Sequence, residues 1–123
     1  MNVITIVDDD PHVRTSLENL LESAGFATRS YSSADALLGG ISWSDVDCFL
    51  FDVRMKGLSG LQLQQRISHM GSRVPIIFLT AHADDETRAR AMMNGAYAFF
   101  GKPFDEDILL AALDAAVGQG PRK

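Results

Sequence analysis

The sequence predicts a doubly wound α/β fold, five parallel strands in one sheet with five helices on its faces. Three observations predict it. Short apolar runs with little polar alternation, as expected of strands covered on both faces, recur at 3–7, 46–51, 76–79 and 97–100. Segments of helical periodicity, most opened by a helix-start signal, separate those runs. The runs also end alike, on Asp8-Asp9, Asp52, Thr80 and Lys102. Parallel strands joined by crossover helices bring their carboxyl ends to one edge, where ligands of such sheets bind.

The elements follow in order. After Val3 to Val7, Asp10 suits a helix N-cap and Pro11 the first helical position. Val13, Leu17, Leu20, Leu21 and Ala24 form an apolar stripe, and Gly25 closes that helix. A short strand at 26–30 mixes Arg and Thr with Phe and Ala, which predicts an edge. Ser33 caps a brief helix through Leu38, stopped by Gly39-Gly40, and residues 46–51 form the next buried strand. Ser59 caps a third helix carrying Leu63, Ile67 and Met70, and Pro75 introduces the strand 76–79. Asp84-Asp85-Glu86 complements the positive end of a fourth helix running to Asn94-Gly95. The fifth strand spans 97–100, and Asp105-Glu106-Asp107 opens a last helix with Ile108, Leu109, Ala112, Leu113 and Ala116. Residues from Gly118 onward read as the start of a linker or tail, so the domain is bounded at 3–118.

Composition narrows the function classes. A chain of 123 residues is one domain with room for a sizeable core. Its 11 basic and 16 acidic residues give a net charge of −5, which argues against direct nucleic-acid contact. The single cysteine, Cys48, lies inside an apolar run and excludes both a disulfide framework and a cysteine metal site. No signal peptide or stretch of membrane-spanning length is visible, so a cytoplasmic location is expected. His12 and His69 show no ligand spacing with other His or Cys and are assigned no role.

The strand-end residues carry the chemistry. Two carboxylates about 4 Å apart repel by roughly 4 kcal/mol at an effective dielectric near 20. A third acid worsens this, so the cluster needs a cation or must take up protons. An all-oxygen site with few protein ligands suits Mg²⁺, which bonds readily to phosphate oxygens. Asp10 is assigned to capping alone, whereas Asp8 and Asp9 exceed what a cap requires. Asp52 reads either as a loop-start aspartate or as a nucleophile able to form an acyl phosphate, and the residues alone leave both open. The Thr80 hydroxyl can donate to a phosphoryl oxygen, and the Lys102 ammonium can neutralise another. Lys102 precedes Pro103, which restricts its backbone to extended conformations and can support a cis peptide.

These motifs resemble the receiver domain of two-component response regulators, from Ile4 through the final helix. The matching segments are Ile6-Val7-Asp8-Asp9-Asp10, Phe51-Asp52-Val53-Arg54-Met55, Leu58-Ser59-Gly60, Phe78-Leu79-Thr80-Ala81-His82 and Lys102-Pro103-Phe104. The wording around Asp52, Thr80 and Lys102 is most similar to the FixJ type of transcriptional regulator. The resemblance implies a flavodoxin-like strand order, 2-1-3-4-5. It implies a signalling phosphoacceptor rather than an enzyme, with Asp52 taking a phosphoryl group from a sensor histidine kinase. Asp8, Asp9, Asp52 and the backbone carbonyl of Arg54 are then the Mg²⁺ ligands, with Thr80 and Lys102 on the phosphoryl oxygens. Thr80 and Phe99 are the implied switch pair, although Phe99 reads equally well as a core ring. Arg54 and His82 border the implied path of the hydrolytic water, or are solvated loop residues. The implied output surface is the fourth helix, fifth strand and last helix, used for homodimerisation. Arg88, Arg90 and the acids at 105–107 could pair across it, or simply be solvated. A DNA-binding output domain is expected to lie outside this chain.

Two departures from the family pattern stand out. Lys56 occupies a place where proline is usual, which loosens the loop beside the acceptor and adds a cation near the acids. Gly101 precedes Lys102 where a larger residue is usual. Three other readings compete. An aspartyl-phosphate hydrolase of the haloacid dehalogenase type wants an acid where Arg54 stands, and a cap domain for which the chain is too short. A dinucleotide-binding fragment needs a glycine-rich first turn, whereas this turn is Asp8-Asp9-Asp10-Pro11. A stand-alone or degenerate receiver acting through protein binding is opposed by the intact Asp9, Asp52, Thr80 and Lys102 set.

Overall fold

Local chemistry decides where each element of the chain begins and ends. The structure, a computed structural model, describes residues 1–40 and 43–118. Strand β1 (Val3–Val7) leads to α1 (Pro11–Ser23), whose N-cap Asp10 accepts from the His12 and Val13 N–H groups. Gly25, at φ 96°, turns the chain toward β2 (Ala27–Tyr31). This strand starts one residue later than the sequence predicts. The Phe26 N–H is spent on the Leu21 carbonyl at 3.0 Å, closing α1, while its side chain is buried.

Helix α2 (Ala34–Gly40) is capped by Ser33, whose hydroxyl accepts from the Ala36 N–H at 3.0 Å. It runs through Gly39-Gly40 instead of stopping before them. Gly40 serves close packing: a Cβ there would lie 3.3 Å from the Tyr31 ring, and its carbonyl accepts the Tyr31 hydroxyl at 3.2 Å. After a short 3₁₀ turn at Trp43–Asp45 comes β3 (Cys48–Phe51), two residues shorter at its start than expected. Asp47 explains the difference. Its carboxylate accepts the Val3 N–H at 2.6 Å and its own N–H donates to the Val3 carbonyl at 2.9 Å, so a side chain replaces part of the ladder.

Helix α3 (Gly60–His69) begins with a capping box between Ser59 and Gln62, satisfying two otherwise orphaned donors. Strand β4 (Ile76–Thr80) is followed by α4 (Asp85–Met93), where Asp84 accepts from the Thr87 N–H at 2.8 Å and its hydroxyl at 2.9 Å. Strand β5 (Ala98–Gly101) and α5 (Glu106–Gly118) complete the fold. Asp105 opens α5, accepting from the Asp107 and Ile108 N–H groups. Gly118, read from sequence as the start of a tail, is the last residue of α5. The expected linker at 119–123 lies outside the described residues.

The five parallel strands order as β2-β1-β3-β4-β5, the expected doubly wound topology. β2 is at an edge, as its mixed composition predicts. The chain reverses direction across the sheet beside β1, so the crevice between the ends of β1 and β3 is the topological switch point. Alternate strand residues feed two cores. Ile4, Ile6, Cys48, Leu50, Ile77 and Leu79 pack against α1 and α5. Phe49, Phe51, Phe78 and Phe99 build an aromatic layer beneath α2, α3 and α4. Full burial contributes roughly 1.5–3 kcal/mol for each such side chain, so this double sandwich holds the strand ends rigidly. No helix among the described residues is long and apolar enough to cross a membrane.

Candidate functional site

The switch-point crevice holds a lysine between two acids. Lys102 Nζ lies 3.4 Å from Asp8 Oδ2 and 3.9 Å from Asp52 Oδ2. Asp8 follows β1, Asp52 follows β3 and Lys102 follows β5, so three strands bring charged groups to one point. Backbone bonds hold the ends in place: the Asp52 N–H donates to the Val7 carbonyl at 3.0 Å, and the Lys102 N–H to the Thr80 carbonyl at 2.8 Å. The Lys102–Pro103 peptide is cis.

Asp8 is the deepest of the acids, only 3% exposed. Burial holds its carboxyl above the usual range, opposed by the Asp10 N–H at 2.9 Å and by Lys102; the Asp52 charge adds to the upward push. Asp9 is exposed, and its Oδ2 accepts the Lys56 N–H at 3.3 Å, tying the first acidic loop to the loop after Asp52. Asp52 is half-buried. Its Oδ1 accepts the Val53 N–H at 2.6 Å, leaving Oδ2 toward the lysine. Thr80 is fully buried, and its Oγ1 accepts the His82 N–H at 3.0 Å.

Thus Asp8, Asp52 and Lys102 stand together as the sequence predicts, with Thr80 linked to Lys102 through the backbone. Among the described residues, no three carboxylate, imidazole or thiolate groups are preassembled around a metal position. The donor chemistry nonetheless fits a hard divalent cation. The acids are all-oxygen donors, and Asp8 and Asp52 face one crevice with a single lysine between them. Arg54 and His82 are exposed beside the crevice. Phe99 is 3% exposed under α4, its ring centroid 6.0 Å from that of Phe78.

Two glycines shape the surroundings. A Cβ on Gly60 would sit 2.1 Å from the Asp52 carbonyl oxygen and 3.1 Å from the Phe78 ring, so only glycine lets α3 start against the acceptor strand. A Cβ on Gly101 would meet the Ala83 Cβ at 2.8 Å, which gives that departure from the family pattern a structural reason: the loop after Thr80 lies flat on β5.

Sequence reasoning missed Arg14 and the anchoring part of Arg88. Arg14 Nη1 donates to the Asp8 carbonyl at 2.7 Å and fixes the acidic loop from one turn inside α1. Its signal was available, because the first turn of a crossover helix lies beside the end of its strand. Arg88 was read only as an interface charge. It donates to the Phe99 carbonyl, a contact between elements that no local spacing encodes.

Comparisons with known proteins place the fold in a family. Residues 4–114 match the response regulator receiver domain family. TodT of Pseudomonas putida, a response regulator protein, is 38% identical over 122 residues, covering 99% of this chain and 54% of TodT. The transcriptional regulatory protein FixJ of Bradyrhizobium diazoefficiens is 39% identical over 116 residues, covering 94% of this chain and 57% of FixJ. Among solved structures, response regulator StyR superposes with a TM-score of 0.89 at 38% identity, covering 97% of this chain and 60% of StyR. FixJ-N superposes with a TM-score of 0.86 at 32% identity, covering 97% of this chain and 95% of that one. This chain belongs to the receiver domain family of two-component response regulators. It is a regulatory domain with the flavodoxin-like receiver fold, related to transcriptional regulators, and it spans about half the length of the curated relatives it matches.

Proposed function

We propose that Asp52 is the phosphoacceptor of a sensor histidine kinase, and that the acceptor state controls an output through the α4–β5–α5 face. The observation that carries this reading is the Lys102 ammonium shared between Asp8 at 3.4 Å and Asp52 at 3.9 Å, at the switch point of the sheet. A carboxylate oxygen of Asp52 attacks the phosphorus of a phosphohistidine. The new bond is an O–P acyl phosphate bond, and the P–N bond breaks with its electron pair going to the imidazole nitrogen. Lys102 neutralises a phosphoryl oxygen, releasing its hold on Asp8 and Asp52. The Thr80 hydroxyl, now an acceptor from the His82 N–H, is free to donate its own proton to a second phosphoryl oxygen.

Receiver domains generally use Mg²⁺ at this site, and Asp8, Asp9, Asp52 and the Arg54 carbonyl would hold it. A cation held by these residues would offset the negative charge of the acids and of an incoming phosphoryl group. Water later attacks the phosphorus, the acyl P–O bond breaks, and the Asp52 carboxylate and inorganic phosphate are restored. Arg54 and His82 flank that approach. Thr80 and Phe99 transmit the change to the α4–β5–α5 face, which dimerises with a second copy. A C-terminal DNA-binding domain outside this chain would then act on transcription in the cytoplasm. The receiver itself, at a net charge of −5, is unsuited to touching DNA.

Incubation with acetyl phosphate and Mg²⁺, followed by intact-mass measurement, tests the reading. One phosphoryl adduct is expected on the wild type and none on Asp52→Ala. No adduct on either protein, with a folded circular dichroism spectrum, would leave a degenerate receiver acting through protein contacts.

A further inference from the structure

Arg88, on α4, grips a single residue of β5 at two points. Its Nη1 donates to the Phe99 carbonyl at 2.8 Å, and its guanidinium carbon lies 4.9 Å from the centroid of the Phe99 ring. A cation within about 6 Å of a ring face is attracted by the ring's quadrupole. The same ring also leans on Phe78, with the two planes tilted by 42°. Phe78 meets Phe51 edge-on at 6.1 Å, and Phe51 is the residue immediately before Asp52. A continuous run of rings therefore leads from the proposed acceptor to the guanidinium on the output face.

The double grip has a conformational consequence. The carbonyl bond fixes the guanidinium relative to the β5 backbone, and the stack fixes the ring relative to the guanidinium. Swinging the ring out toward solvent breaks the stack and uncovers a side chain now only 3% exposed. α4 buries only Ala91 of its own residues, and Arg88 adds a polar tie from this helix to β5. An arginine is suited to the place, because its planar fork can donate and stack at once, which a lysine ammonium cannot.

We propose that Arg88 is a positioning residue of the switch, holding the Phe99 ring in its buried rotamer before any phosphoryl group arrives. The inference rests on the reading of Asp52 as acceptor and of Thr80 and Phe99 as the transmitting pair. With the ring already buried, the receiver populates the arrangement compatible with Thr80 moving toward the phosphoryl group. Phosphorylation then draws on a larger competent fraction.

The test combines ring exposure with phosphorylation kinetics in wild type, Arg88→Ala and Arg88→Lys. Ring exposure is read by NMR from the relaxation that a soluble paramagnetic agent induces in the Phe99 ring protons, without any phosphoryl donor. In Arg88→Ala the ring protons relax faster as the ring meets solvent. Asp52 phosphorylation by acetyl phosphate and Mg²⁺ then slows roughly fivefold to seventyfold, the combined range of one exposed cation–π contact and one hydrogen bond. Arg88→Lys recovers part of the rate, because charge over the ring is kept while the fork is lost. A ring that stays shielded in Arg88→Ala overturns the clamp. A ring that is released while phosphorylation stays equal or becomes faster overturns the bias. If the wild type takes no phosphoryl group, the acceptor reading fails, and the relaxation measurement still decides whether Arg88 holds the ring.

Discussion

Helices α3 and α4 lie on the same face of the sheet and are held there by different forces. α3 buries Gly60, Leu61, Leu63, Gln64 and Ile67, and is fixed at its start by a reciprocal capping box. α4 buries only Ala91. Its other ties are polar: the Asp84 cap, the Arg88 grip on Phe99, and a 3.0 Å bond from Gln64 Nε2 on α3 to the Ala91 carbonyl. Apolar burial is lost only by uncovering surface to water. Hydrogen bonds and cation–π contacts can be exchanged for water at about 1 kcal/mol each. A helix held in the second way can change position while the fold persists, and that suits the element next to the switch ring.

Breaking the apolar side of this contrast has the largest effect. Leu63→Ala removes a fully buried side chain and costs about 2–5 kcal/mol of global stability. Burial pushes the Cys48 thiol up to about 12, so it stays protonated and covered at neutral pH. Alkylation of Cys48 therefore reports global unfolding and speeds up sharply in Leu63→Ala. Gln64→Leu addresses the polar side and costs about 1 kcal/mol. The Ala91 carbonyl keeps the Ala96 N–H at 3.0 Å, so hydrogen exchange rises across α4 while Cys48 alkylation speeds up by no more than about fivefold, far less than in Leu63→Ala.

Acid sharpens the contrast further. The Thr87 N–H, then its hydroxyl, hold the Asp84 carboxyl below its ordinary value of 3.8, with a smaller contribution from Arg54. A depressed folded-state value means that the cap's contribution is complete above the ordinary value and is lost as pH falls through the folded one. Protection against hydrogen exchange, taken relative to the intrinsic rate at each pH, therefore falls in α4 before α3 on descent below about pH 4, because the Ser59 and Gln62 cap of α3 does not titrate. The smallest effect is local. Lys56→Pro stiffens the loop by about 0.4–1 kcal/mol of unfolded-state entropy and also removes the N–H that Asp9 accepts. Changed Mg²⁺ affinity or acetyl phosphate kinetics are expected, and identical values would discard Lys56 as a tuning residue.

The contrast also explains which features were legible in the sequence. Doubly covered strands and helix starts are local patterns, so the five strands, the caps Asp10, Ser33 and Ser59, the acidic start of α4 and the strand-end acids could be read from residue order. Gly39-Gly40 was misread as a stop because glycine signals both chain reversal and close approach, and Gly40 serves the second against Tyr31. β3 was read too long because the Asp47 side chain imitates a ladder bond. The site was legible as a set of residue types at strand ends, yet not as a pairing. Nothing in the order of residues says that Lys102 stands between Asp8 and Asp52, or that Asp9 bonds to the Lys56 backbone. Arg88 on Phe99 was invisible for the same reason, since contacts between distant elements depend on how α4 lies across β5.

One measurement tests the account most directly: hydrogen exchange resolved along the chain, with and without acetyl phosphate and Mg²⁺, on wild type and Asp52→Ala. The account predicts that phosphoryl-dependent changes appear at the crevice and across 84–101, leave α3 largely unchanged, and vanish in Asp52→Ala. Changes that persist in Asp52→Ala, or that fall on α3 as strongly as on α4, would contradict it.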